Sequence, residues 1–149
     1  MDQINIAELY RLVKDFFEHD TTGHDWWHVH RVWLNAKQIA QHEQADMLVV
    51  ELAALLHDIA DWKFHDGDET KGAQVAQAWL GQFDIKQETI SHICQIITDL
   101  SYKGAGVSTP MPSIEGKIVQ DADRLDAIGA IGIARTFAYG GSKQREIYN

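Results

Sequence analysis

The stretch from Val49 to Asp61, Val-Val-Glu-Leu-Ala-Ala-Leu-Leu-His-Asp-Ile-Ala-Asp, constrains this chain more than any other. Its first eight residues are apolar apart from Glu51 and contain no glycine or proline. An Ala- and Leu-rich run of that kind reads as a helix rather than a strand. A helix that is apolar on nearly every side belongs in the middle of a domain. Yet this one runs into an imidazole and two carboxylates, His57, Asp58 and Asp61. Burying such groups costs several kcal/mol unless something pairs with them. A divalent cation is one such partner, and it requires further ligands elsewhere in the chain. A hydrogen-bonded core pair without metal is the plainer reading of His57 and Asp58.

The dipeptide alone says little. With 8 His and 14 Asp in 149 residues, roughly 0.75 His-Asp pairs are expected by chance. The chain has four: His19-Asp20, His24-Asp25, His57-Asp58 and His65-Asp66. Only the third closes a buried helix. In the others Asp is well placed as a helix N-cap, so they read as capping or surface residues.

Composition excludes several classes. A net charge of −9 argues against a nucleic-acid polymer as partner, since that needs a basic stripe. It leaves a nucleotide substrate open, because a metal can supply positive charge locally. One cysteine, Cys94, excludes an internal disulfide and a cysteine-built zinc site. No apolar run reaches the roughly 18 residues of a membrane span, and no signal peptide opens the chain. A single cytoplasmic domain is the expectation.

Strand signals are nearly absent, and helical ones repeat. Asn5 and Glu8 form a capping box for a first helix with apolar Ile6, Leu9, Leu12, Val13 and Phe16. Asp25 caps a second helix to about Glu43, on which His28, Arg31, Val32 and Asn35 share a face. The third helix spans about Asp46 to Asp61. Asp66 with Glu69, and Asp84 with Gln87, repeat the capping pattern before a fourth helix (Val75, Ala76, Trp79, Leu80, Phe83) and a fifth (Ile90, Ile93, Ile97, Leu100). Ser101 to Ser113 holds two glycines and two prolines and reads as a loop. Ser113 caps a sixth helix with Ile114, Ile118, Ala122 and Leu125 inward. A last apolar segment, Ala127 to Tyr139, ends at Gly140-Gly141, and Ser142 to Asn149 is a polar tail.

Three places carry ligand chemistry: His28 on the second helix, His57-Asp58 on the third, and Asp121 or Asp123 on the sixth. Two imidazoles and two carboxylates suit Mn²⁺, Fe²⁺, Co²⁺, Ni²⁺ or Mg²⁺ better than a thiolate zinc site. Periodicity leaves Asp121 and Asp123 both open. His24 and His92 read as structural or surface residues, and Asp126 as an outer or capping group.

Taken together, His28-x-x-Arg31-Val32, His57-Asp58 and Ala122-Asp123-Arg124-Leu125 resemble the H…HD…D signature of the HD-domain metal-dependent phosphohydrolases. The wider contexts, Asp25-Trp26-x-His28, His57-Asp58-x-x-Asp61-x-Lys63-Phe64 and Gln120 to Gly129, are similar to a small bacterial subgroup of stand-alone HD hydrolases. The resemblance covers about residues 20–139. It implies an all-α, single-domain bundle of about six to eight helices around a central metal site, with residues 1–149 forming the HD domain. Members of the subgroup continue for several more helices, so residues 142–149 are expected to be the stump of missing C-terminal ones.

The resemblance also implies function. The metal ligands would be His28, His57, Asp58 and Asp123, the family's Ala-Asp-x-Leu pattern favouring Asp123 over Asp121. They would hold one divalent ion, Mn²⁺ first, with Mg²⁺, Co²⁺, Ni²⁺ or Fe²⁺ as alternatives. The substrate would be a phosphorylated small molecule, most plausibly a nucleotide, cut by a nucleoside or deoxynucleoside triphosphate pyrophosphohydrolase or a phosphatase. Asp58 and Asp61 would be catalytic, Asp61 as acid, base or water-orienting group. Arg31, Lys63, Lys103 and Arg124 would contact phosphate. Alternatives are a (p)ppGpp-type or cyclic-nucleotide hydrolase, a metal-bearing nucleotide sensor without turnover, and a purely structural helical domain. No membrane partner is expected, and a homodimer stays open.

Overall fold

The computed structural model of the chain describes residues 6–60, 70–100 and 106–148. Among them are seven helices and no strand: α1 (Ile6–Phe17), α2 (Trp26–Ala40), α3 (Met47–Leu56), α4 (Lys71–Leu80), α5 (Gln87–Asp99), α6 (Ile114–Leu125) and α7 (Gly129–Ser142). This is the all-α fold expected, and no helix among the described residues is long and apolar enough to cross a membrane.

The bundle is organised around α3. Every residue from Val49 to Leu56 is buried, and α3 packs against α1, α2, α5 and α6. α2 and α6 lie against each other, and α4 covers α5. Buried Leu52, Leu55, Ile93 and Ile118 belong to one continuous core. Glu51 is buried within it, and its carboxylate accepts from the Trp33 indole at 3.0 Å and pairs with Lys37 at 3.3 Å. That satisfies a charge which the apolar run would otherwise strand.

Local chemistry explains several starts. Asp25 accepts from the His28 N–H, Asp46 from Leu48 and Val49, and Ser113 from Gly116, each satisfying a donor that the first turn leaves unpaired. Asp84 does not cap α5. The Ile85 N–H closes a tight turn on the Phe83 carbonyl, and Lys86 stands at the N-cap without a side-chain bond. Thr70 likewise precedes α4 without its side chain capping a first-turn N–H; its hydroxyl accepts instead from the Gln74 side chain at 2.9 Å. Asn5, Asp66 and Glu69 lie outside the described residues.

Helix ends differ from the sequence reading in three places, and the buried faces of two helices differ as well. α2 stops at Ala40, because His42 and Glu43 bond three residues back and tighten the chain into turns. α3 stops at Leu56, so His57 and Asp58 sit in the turn that follows rather than on the helix. The His57 ring bonds to the Ala54 carbonyl at 2.8 Å and the Ile59 N–H to Leu56 at 3.1 Å, which uses up the last carbonyls. Leu125 is 47% exposed, not inward: the inner face of α6 runs Ile118, Ala122, Asp126, one residue every four. α7 continues through Gly140 and Gly141 and ends where Gln144 enters the left-handed region at φ 54°, with the Arg145 N–H bonded to the Gly140 carbonyl. On α1, Phe17 rather than Phe16 joins Leu9 and Val13 in the core, and Leu12 faces solvent.

Candidate metal centre

Three elements bring ligating side chains together. α2 carries His28 on its inner face one turn after the Asp25 cap. The turn after α3 carries His57 and Asp58. The last turn of α6 carries Asp123, and its C-cap residue is Asp126. α2, α3 and α6 are mutually packed, so residues far apart in sequence share one volume.

Both imidazoles are buried and oriented. The His28 Nδ1–H donates to Asp126 Oδ2 at 2.7 Å, and the His57 Nδ1–H donates to the Ala54 carbonyl at 2.8 Å. Both acceptors lack protons to give, so in each ring Nδ1 is the donor and Nε2 is turned inward. The two Nε2 atoms face each other at 3.1 Å. Two lone pairs cannot meet at that distance without a proton or a cation between them.

Carboxylates complete the group. Asp58 Oδ2 lies 3.2 Å from His28 Nε2 and 3.5 Å from His57 Nε2. Asp123 Oδ1 lies 3.4 Å and 3.7 Å from the same two atoms. Neighbouring ligands in an octahedral shell about 2.1 Å from a common ion are about 3 Å apart. The donor atoms of His28, His57 and Asp123, and those of His24, His28 and Asp58, are close enough to share a cation. The imidazoles are closed off, whereas Asp58 and Asp123 are 15% and 30% exposed, so the group opens to solvent on its carboxylate side.

The electrostatics agree with a site built for positive charge. Burial pushes the Asp58 carboxyl up, but His57, His24 and His28 around it hold it well below the usual carboxylate range. Burial pushes His28 down, and the hydrogen bonds to Asp126 and Asp58 outweigh this and raise it to about 9. In the metal-free protein a proton on His28 thus takes the place that a cation would fill.

Other expected site residues are distributed differently. Asp121 is exposed on α6 and is in neither set of donor atoms close enough to share a cation. Arg31 is turned onto Asp126, with Nε donating to Oδ1 at 2.7 Å and Nη2 to Oδ2 at 3.0 Å. Arg124 donates to the Thr109 hydroxyl at 2.6 Å. Asp61, Lys63 and Lys103 lie outside the described residues. His92 lies on α5 and lines a separate cleft of about 320 Å³ at the start of α6, the opposite end from the ligand group.

Two contributors were missed in the sequence. His24, read as structural or surface, has its Nδ1 2.7 Å from Asp58 Oδ2 and packs edge-on against the His28 ring at 5.7 Å. Its position one turn before His28 was the available signal. Arg135 reaches from α7 to Asp126. It is the only charged residue between Asp126 and Lys143, and a lone guanidinium in an apolar helix asks for a buried acceptor.

Comparisons with known proteins bear on this site. The HD domain family model matches residues 26–128. The Bacillus subtilis (strain 168) protein YpgQ is 42% identical over 150 residues, which cover 99% of this chain and 73% of that protein. The crystal structure of YpgQ in complex with ADP matches with a TM-score of 0.76 at 38% identity, over 97% of this chain and 72% of that one. A crystal structure from Lactobacillus plantarum matches with a TM-score of 0.82 at 32% identity, over 100% of this chain and 68% of that one. An HD-superfamily hydrolase from Bacillus thuringiensis matches with a TM-score of 0.71 at 42% identity, over 97% and 69%.

Proposed function

The chain belongs to the HD-domain family, and from that premise we propose that it is a metal-dependent phosphohydrolase acting on a nucleotide. The observation that carries this reading is the pair of buried Nε2 atoms facing each other at 3.1 Å with two carboxylates beside them. His28, His57, Asp58 and Asp123 would hold one divalent ion, with Mn²⁺ the first candidate. When bound, such an ion offsets charge on a phosphate oxygen and lowers the pKa of a water it holds.

The chain's own residues supply orientation. Asp126 and the Ala54 carbonyl fix both ring tautomers, leaving Nε2 free to ligate. His24 holds one Asp58 oxygen in place. The open carboxylate side is where a phosphate would enter. Arg31 and Arg124 already have protein partners, so phosphate contact falls in this proposal first to Lys63 and Lys103. Asp61 is proposed as the acid, base or water-orienting group. A nucleotide substrate is supported by the ADP bound to YpgQ. Attack on a phosphoanhydride, releasing pyrophosphate or a terminal phosphate from a nucleoside or deoxynucleoside triphosphate, is the reaction proposed.

The test is metal content of the purified protein after incubation with Mn²⁺, with phosphate and pyrophosphate release from a nucleotide panel read in the same sample. Near one ion per chain and release from some nucleotides is expected. Asp58→Ala should lose both the ion and the turnover. A fully active Asp58→Ala protein would sink the assignment of the centre, and metal uptake without release from any nucleotide would favour the sensor reading.

A further inference from the structure

α7 packs loosely, burying only Gly132, yet one of its side chains reaches the centre. The Arg135 Nε donates to the Gly23 carbonyl at 2.7 Å, and Nη1 donates to the Asp126 carbonyl at 3.1 Å. Nη1 also stands 3.5 Å from Asp126 Oδ2, the oxygen that takes the His28 Nδ1–H. Gly23 adopts φ +87°, and a Cβ there would come within 3.1 Å of the Arg135 carbonyl. That backbone conformation is open to glycine at little cost, and it lets the two segments approach. One guanidinium thus joins the turn that leads into α2, with His28, to the turn that leaves α6, after Asp123.

We propose that Arg135 is a positioning residue for the metal centre, acting through Asp126 on the orientation of the His28 ring. This rests on the metal-centre reading above. Asp126 is held from two sides. Arg31 grips both oxygens from α2, and Arg135 grips the backbone and the His28-facing oxygen from α7. With Arg135 gone, Arg31 still neutralises Asp126, so the buried charge is not abandoned and the fold survives. What loosens is the registry between Asp126 and His28. Partners that orient a ligating imidazole typically contribute 10- to 100-fold in metal affinity, and this is the loss expected.

The test is Co²⁺ binding to the full chain, followed by visible absorption, for the wild type, R135A, R135K, D126N and the R135A/D126N double variant. R135A is expected to weaken Co²⁺ binding about 10- to 100-fold and to shift the visible band, with the metal-free melting temperature nearly unchanged. R135K keeps the charge and part of the bridge and should recover part of the affinity. If Arg135 acts through Asp126, the double variant should bind Co²⁺ as D126N does. Wild-type affinity in R135A, or losses that multiply in the double variant, would overturn the positioning role while leaving the centre intact. If D126N does not fold, R135K decides, and no recovery overturns the role. A wild-type chain that takes up no Co²⁺ overturns the centre and, with it, the role of Arg135.

Discussion

α3 and α7 are both apolar helices that serve the same centre, and they do so in opposite ways. α3 is buried from Val49 to Leu56 and holds His57 and Asp58 by packing against four neighbours. α7 leaves Ile133 62% and Phe137 50% exposed and is tied to the centre through the polar reach of Arg135. Apolar content therefore did not decide burial. What separates the two is the presence of neighbours on every side of α3. Packing makes a stiff support, because a close-packed core resists displacement of even one methylene. A polar bridge makes a specific but softer one.

The largest effect that would test this contrast lies in α3. Leu55 is fully buried in the central core. Leu55→Ala should destabilise the protein by about 2–5 kcal/mol through lost transfer energy and the cavity left behind, read as a lower midpoint in urea unfolding. A loss below about 1 kcal/mol would mean that α3 is not the stiff support described.

Next in size is a pH effect centred on the Arg135–Asp126–His28 chain. His28 is raised from its ordinary 6.5 to about 9 because its bonds to Asp126 and Asp58 outweigh burial. A group whose folded pKa lies above its unfolded value contributes stability that is present in full below the unfolded value and is lost as pH rises through the folded one. Asp58 and Asp126 are shifted the other way, so their contribution is present above the usual carboxylate range and is lost in acid. The metal-free protein should therefore melt at progressively lower temperature from about pH 7 to pH 10 in the presence of a chelator. A flat profile would break the proposed proton-for-metal exchange on His28. The penalty of Leu55→Ala, which removes only apolar atoms from the core, should stay constant across the same range.

The sequence was informative where one segment decides the outcome. The Ala- and Leu-rich run marks α3, and the Asp25 and Ser113 caps are observed because an N-cap depends on its own next three residues. The end of α3 was misplaced because the bond from His57 to Ala54 replaces helix with turn, a choice that depends on where the ring must point. At the site, the side chains of His28, His57, Asp58 and Asp123, the set that the HD resemblance implies, lie close together, with the two Nε2 atoms 3.1 Å apart and the carboxylates 3.2 and 3.4 Å from His28 Nε2. Arg31 on an inner face reads in the sequence as a phosphate contact, since a sequence shows a cation but not its partner; in the fold its Nε and Nη2 donate to Asp126, 95 positions away. Arg135 and Gly23 are 112 positions apart, and no local pattern encodes that contact.

The smallest expected effect completes the contrast. Ile133 matches the core residues in chemistry but stands 62% exposed on α7. Removing methylenes there opens no cavity, because water already occupies the space around them. Ile133→Ala also raises intrinsic helix propensity by a few tenths of a kcal/mol. The two contributions leave a net change within about 0.5 kcal/mol, against several for Leu55→Ala, when both are measured by urea unfolding at one pH. Co²⁺ affinity should be untouched, because Arg135 two residues on keeps its bridge to Gly23 and Asp126. A loss at Ile133 approaching that at Leu55 would mean that the outer face of α7 is covered in solution, and α7 would then be a packed support like α3.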